Sequence, residues 1–233
     1  MAETPEEVAR RHRAVGRQLS AAVAAAGRPP DSVLLLAVSK RQPVESLAAA
    51  YAAGARDFGE NYVQEALGKV DQLPLDARWH LIGHLQSNKA KRAAEAFHCI
   101  HTLDRPSLAG ALEKAVAERR GRLQVLLQVN VAGEESKSGT TPEGAESLAR
   151  RMAEWPHLWL RGLMTIPPYL TDPEQVRPHF RALRELRDRL AALALPGLEM
   201  TELSMGMSHD FPVAVQEGAT IVRVGTALFG ERP

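Results

Sequence analysis

Cysteine is almost missing from this sequence. Cys99 is the single one in 233 residues, so no internal disulfide can form, and the chain is expected to work in a reducing cytoplasm. An excess of charge is missing too: 29 basic and 28 acidic residues are spread along the chain for a net +1, which gives nucleic acid no extended basic surface and makes it an unexpected partner. No apolar run approaches the ~20 residues that cross a bilayer, so a membrane span is not expected. The first seven residues are acidic rather than a basic stretch leading into an apolar one, which argues against a secretory leader. Linkers, low-complexity tracts and helical repeats are lacking as well.

What is present is a single alternating pattern. A chain of this length suits one barrel domain of roughly 200 to 250 residues. Thr4, Pro5 and Glu7 make a cap, a first-turn proline and a capping-box glutamate. Val8, Val15, Leu19 and Val23 then recur on one face, which predicts an N-terminal helix within 1–27. Eight short apolar runs follow, at 33–40, 56–61, 79–83, 98–103, 123–130, 160–165, 202–205 and 221–225. Between them lie helical patterns such as 44–53, 107–119, 143–153 and 180–193, with a clear loop at Leu195-Pro196-Gly197. Consecutive apolar positions in the runs suit parallel strands buried on both faces, and parallel strands need crossover helices. The expected fold is α/β: one domain over 1–233, a single (β/α)8 TIM-type barrel at 33–233 behind the extra helix. An open doubly wound sheet is the alternative.

In such a barrel the functional site lies at the carboxyl ends of the strands. Here those ends are polar: Lys40, Asn61, His84, Asp104, Asn130, Thr165, Ser204, and Arg223 followed by Gly225-Thr226. Strand ends meet solvent and attract polar residues anyway, so no single position decides. Of six lysines, Lys69, Lys89, Lys91 and Lys114 fall in helical patterns and Lys137 in a loop, leaving Lys40 alone to cap a buried strand. It shares strand parity with Leu34, Leu36 and Val38. Desolvation there disfavours the ammonium form and leaves an amine able to attack an aldehyde, although a lysine snorkelling from the mouth would read the same. On the last strand, alternation puts Arg223 inward if Val222 and Val224 meet helices, and an inward guanidinium demands an internal partner or a ligand. Gly225-Thr226 offers backbone N–H groups and Ser204 a hydroxyl after strands seven and eight, where barrels of this kind hold phosphate. Closing the barrel makes strands one and eight neighbours. An imine-forming lysine beside a phosphate cradle describes a site for pyridoxal 5'-phosphate (PLP).

Several segments then resemble the pyridoxal phosphate homeostasis protein family: Ala37-Val38-Ser39-Lys40, Phe58-Gly59-Glu60-Asn61 continuing to residue 65, and 79–89 (Trp-His-Leu-Ile-Gly-His-Leu-Gln-Ser-Asn-Lys). So do 162–164 (Gly-Leu-Met), 203–208 (Leu-Ser-Met-Gly-Met-Ser) and 222–230 (Val-Arg-Val-Gly-Thr-Ala-Leu-Phe-Gly), so that the match runs nearly end to end. The resemblance implies the alanine racemase barrel without its second domain, PLP held as an imine on Lys40, and a role in intracellular PLP supply as a carrier or buffer. It implies that Ser204, Gly225 and Thr226 contact the phosphate, that Asn61 lines the pocket and that Arg223 faces the pyridine nitrogen. An arginine there keeps the ring nitrogen unprotonated and weakens the cofactor as an electron sink, so catalytic turnover is not expected.

A PLP-dependent racemase-like enzyme is the alternative. The sequence runs eight residues past Gly225, so a further domain with an opposing acid-base group is not expected, and on the same ground a monomer is. An aldolase-like barrel with a lysine-sugar imine is a third reading. Partners expected are PLP, free amino acids that exchange with it, and PLP-dependent apoenzymes. His80 and His84 have an H-x-x-x-H spacing but lie in a strand-like run, so no metal site is expected; Cys99 reads as core, the Met205 and Met207 pair as packing, and Arg119-Arg120 as a solvated helix face.

Overall fold

The computed structural model describes residues 3–119, 121–134 and 137–231. Residues 1–2 and 232–233 of the expected span, Arg120 and residues 135–136 lie outside the described residues.

The elements run α1 (Pro5–Ala25), β1 (Leu34–Val38), α2 (Val44–Ala52), β2 (Asp57–Glu60), α3 (Val63–Leu67), β3 (Arg78–Leu81), α4 (Ala90–Ala96), β4 (Cys99–Leu103), α5 (Pro106–Glu118), β5 (Leu123–Gln128), α6 (Pro142–Arg150), β6 (Leu158–Met164), α7 (Arg177–Ala192), β7 (Leu198–Ser204), α8 (Phe211–Gln216), β8 (Ile221–Val224) and α9 (Thr226–Phe229). All eight strands are parallel and neighbour one another in chain order, with β1 pairing β8 to close the barrel. Closure rules out the open sheet. No helix among the described residues is long and apolar enough to cross a membrane.

Strand parity sorts the side chains into two cores. Val222 and Val224 of β8, Leu81 of β3 and Leu163 of β6 face the helices in the large outer core, while Leu36, Ile82, Cys99, Leu126, Met164 and Ile221 pack together inside the barrel. The N-terminal helix starts as its residues demand: Thr4 Oγ1 accepts from the Glu7 amide at 3.2 Å, Pro5 follows, and Val8, Val15, Leu19 and Val23 are buried. The return half of the capping box is not made, because the Glu7 carboxylate is taken by Arg10 and Arg11.

Three elements differ from the sequence pattern. β1 stops at Val38, two residues short of Lys40, because the chain turns at Arg41, which has a left-handed φ of 59°. β7 begins at Leu198 rather than 202; only Met200, Leu203 and Ser204 along it are fully buried, so its apolar pattern is thin. Lys69 is not on a helix: it follows α3, at the foot of a short 3-10 turn, and is buried.

Candidate functional site

The carboxyl ends of β1 and β8 frame a cavity of about 450 Å3, lined by Val38, Lys40, Asn61, Ile82, Ile166, Tyr169, the run Met207 to Asp210, Arg223, Gly225 and Thr226. Register explains the company: Leu36 sits opposite Arg223 in the β1–β8 ladder, so the inward residues that follow, Lys40 and Gly225, end on one wall. Lys40 is half-buried. Five of the six residues expected at the site thus meet: Lys40, Asn61, Arg223, Gly225 and Thr226.

Ser204 does not meet them at the mouth. It is fully buried one layer below, where its Oγ accepts from Arg223 Nη1 at 2.8 Å and lies 2.9 Å from His101 Nδ1. The serine of this segment that lines the cavity is Ser208, because β7 ends at Ser204 and the chain climbs through Gly206 before reaching the rim. Ser208 Oγ accepts a hydrogen bond from the Ala227 amide at 3.4 Å, in the first turn of α9. Ser208 stands in the segment 203–208 beside Ser204; choosing between the two hydroxyls required knowing where the strand ends.

Arg223 answers the demand for an internal partner. Its Nη2 donates to the Thr165 carbonyl at 2.8 Å while Nη1 holds Ser204, and burial pushes its pKa down to about 10, opposed by the Asp210 carboxylate. Asp210 itself is buried and accepts from the Met207 amide at 2.6 Å; burial raises its pKa. Together they give the cavity one guanidinium and one carboxyl on adjoining walls.

Lys40 is positioned from behind. Lys69 Nζ donates to the Ser39 carbonyl at 2.9 Å, to Glu60 Oε1 at 2.8 Å and to Glu65 Oε1 at 2.7 Å. Ser39 Oγ also donates to Glu60 Oε1, at 2.6 Å, and the Arg41 amide donates to Glu65. The residues on both sides of Lys40 are therefore clamped. All three donors of the Lys69 ammonium are committed, so it is no rival nucleophile. Lys69 reads as helical in sequence because Val63, Ala66 and Val70 recur at helical spacing; only the fold brings its amine under β1.

Asn61 is fixed by a glycine. A Cβ on Gly83 would come 2.2 Å from the Asn61 carbonyl oxygen, so only a bare backbone lets β3 close against the end of β2. Other polar strand ends serve the frame: Thr165 Oγ1 donates to the Val129 carbonyl, Asn130 Nδ2 to the Glu134 carbonyl, and Asp104 pairs with Arg105. His84 borders neighbouring cavities and lies 3.8 Å from Asp104, away from His80. His80 points into the barrel instead, where the ligand atoms of His80, Cys99 and His101 lie within 4.8 Å of one another. His80 Nδ1 and His101 Nε2 are 3.0 Å apart, hydrogen-bond contact between the two rings. Burial raises the Cys99 thiol's pKa well above its ordinary value, which makes it a core residue rather than a nucleophile. Tyr169, its ring tilted against His209 with centroids 5.3 Å apart, forms a cavity wall that the sequence pattern did not single out.

The carboxyl end of this parallel barrel thus gathers a half-buried lysine, a buried arginine and a hydroxyl beside backbone amides around one cavity. The alanine racemase N-terminal domain family matches residues 14–233. The pyridoxal phosphate homeostasis protein of Aquifex aeolicus (strain VF5) is 50% identical over 211 residues, covering 89% of this chain and 90% of that protein; the one from Pseudomonas aeruginosa is 48% identical over 219 residues, covering 94% and 93%. The solved structure of PipY from Synechococcus elongatus PCC7942 with PLP bound superposes with a TM-score of 0.82 at 39% identity, covering 96% of this chain and all of that one. Alanine racemase from Corynebacterium glutamicum shares the fold, with a TM-score of 0.74 at 19% identity, and this chain spans 62% of it. The chain belongs to the pyridoxal phosphate homeostasis protein family, built on the alanine racemase N-terminal domain.

Proposed function

We propose that this chain binds PLP and serves intracellular PLP homeostasis as a carrier or buffer, with the Lys40 amine joined covalently to the cofactor. The observation that carries the reading is that Lys40, Arg223 and the Ser208–Gly225–Thr226 rim share one cavity. The donor set fits the group: an amine for an aldehyde carbon, a hydroxyl and backbone N–H groups for a phosphate, and an arginine that keeps its own proton for a ring nitrogen. Within it Ser208, Gly225 and Thr226 take the phosphate, Asn61 and Tyr169 flank the ring, and Ser204 acts from below through Arg223. Bound there, the cofactor supplies an electrophilic carbon that passes between amines, which suits exchange with free amino acids or apoenzymes.

The test is an absorbance spectrum of the purified protein. A yellow protein whose colour is trapped by borohydride on the peptide holding Lys40, and is lost in Lys40→Ala, is expected; a label on any other lysine overturns the assignment. A sugar-imine barrel would be colourless as isolated. Racemisation is the alternative activity, and steady loss of optical rotation from L-alanine at catalytic protein concentrations would establish it over the carrier role. We take the chain as one barrel domain acting as a monomer in the cytoplasm. Light scattering and cell fractionation test the last two points, and the unbridged, buried Cys99 suits a reducing compartment.

A further inference from the structure

Beneath the cavity the barrel interior is polar along one line, where branched apolar side chains are the usual filling. Asp57, His80, His101, Ser204 and Arg223 are each no more than 4% exposed. Burying five polar groups is costly unless each is hydrogen-bonded. They are bonded to each other: Arg223 Nη1 to Ser204 Oγ at 2.8 Å, Ser204 Oγ to His101 Nδ1 at 2.9 Å, His101 Nε2 to His80 Nδ1 at 3.0 Å, and His80 Nε2 to Asp57 Oδ1 at 2.9 Å. The far end is anchored by Arg78, whose Nε and Nη2 donate to the two Asp57 oxygens, and it borders a second cavity of about 340 Å3 lined by Asp57, Arg78, His80 and Cys99.

We propose that Asp57, His80, His101 and Ser204 are positioning residues that act on the cofactor through Arg223, as a one-way hydrogen-bond relay crossing the barrel from its second cavity. This rests on the PLP reading for its effect on the ring, while the direction of the relay follows from the hydrogen-bond geometry taken with one proton on each imidazole ring. The Asp57 carboxylate, held ionised by His80 and Arg78, only accepts, so the proton between them belongs to His80 Nε2. With one proton on each ring, His80 Nδ1 accepts from His101 Nε2, and His101 Nδ1 accepts from the Ser204 hydroxyl. That orientation turns the Ser204 lone pairs to Arg223, so every donor in the line has an acceptor. Reversing any one link strands the Ser204 proton in a dry interior. Linked bonds of this kind also polarise one another, which makes Ser204 a firmer seat for the guanidinium.

The experiment labels histidine and arginine side chains with 15N in the full-length protein and records the ring tautomers without cofactor, then the visible band with it. The expected result is Nε2–H on both His80 and His101. In Asp57→Leu the His80 Nε2 proton loses its acceptor, and the His101 tautomer and Arg223 side-chain signals are expected to move although neither touches residue 57. The bound cofactor's band is expected to shift in Asp57→Leu and in Ser204→Ala, with borohydride still trapping it on Lys40. Nδ1–H on His101 in the wild type, or unmoved His101 and Arg223 signals in a folded Asp57→Leu, overturns the relay; should that variant not fold, an unmoved Arg223 signal in Ser204→Ala does so. A colourless wild type overturns the cofactor reading and leaves the tautomers to decide the relay.

Discussion

Lys69 Nζ lies 2.9 Å from the carbonyl oxygen of Ser39, the residue that delivers Lys40 to the cavity, and 2.8 Å from the fully buried Glu60 carboxylate. Two lysines thus serve one site, one presented to the ligand and one holding the backbone that presents it. Replacing Lys69 by Met should leave Glu60 buried without its cation, a loss of about 3 to 5 kcal/mol as for other broken buried pairs. Burial raises the Glu60 pKa, opposed by Lys69 and Ser39, and loss of Lys69 raises it further. A carboxyl with a raised folded pKa is best tolerated when protonated, so stability is retained below its unfolded pKa and lost as pH rises through the folded one. Urea unfolding of Lys69→Met is therefore expected to show a smaller deficit near pH 5 than at pH 8.

Ser208 and Ser204 should separate cleanly in binding. Ser208→Ala removes the hydroxyl at the rim, and the dissociation constant for PLP is expected to rise roughly tenfold, the low end for a hydrogen bond to a charged group. Pyridoxal, which has no phosphate, should bind wild type and Ser208→Ala equally. Equal PLP affinities by equilibrium dialysis would place the phosphate elsewhere.

Gly83→Ala should be costly although Gly83 does not line the Lys40 cavity. The new methyl would need space now held by the Asn61 backbone, and forcing the two apart is expected to cost about 1 to 3 kcal/mol. Thermal melting measures the loss, and a weaker hold on PLP is expected alongside it because Asn61 moves.

Acid should destabilise the barrel through His101. Burial, then the neighbouring His80 and Arg223, hold its pKa well below the ordinary histidine value. The unfolded chain takes up a proton below about pH 6.5 that the native state refuses, so the contribution is intact above that pH and falls away below it, by up to about 1.4 kcal/mol per pH unit for one proton. His98 and His12 are lowered by burial as well and add to the same trend. Urea midpoints should be flat from pH 7 to 8 and fall below 6.5, with a shallower fall in His101→Gln.

Much of the architecture was legible in one dimension because parallel barrels write it locally. Runs such as Leu34-Leu35-Leu36 are apolar on both faces, helices fill the gaps between runs, and Val222, Arg223 and Val224 alternate so that the arginine must point inward. Lys40 stood out for the same reason: its parity with Leu36 and Val38 is a property of the chain itself. What lay beyond that reach was contact between elements distant in sequence. The committed ammonium of Lys69, the descent of Ser204 below the rim with Ser208 in its place, and the His80–His101 pair that supersedes the His80–His84 spacing all depend on where β1, β4 and β7 end relative to one another. Hydrogen bonds are satisfied in three dimensions, so local pattern determined which residues face inward, and only barrel closure decided which of them meet.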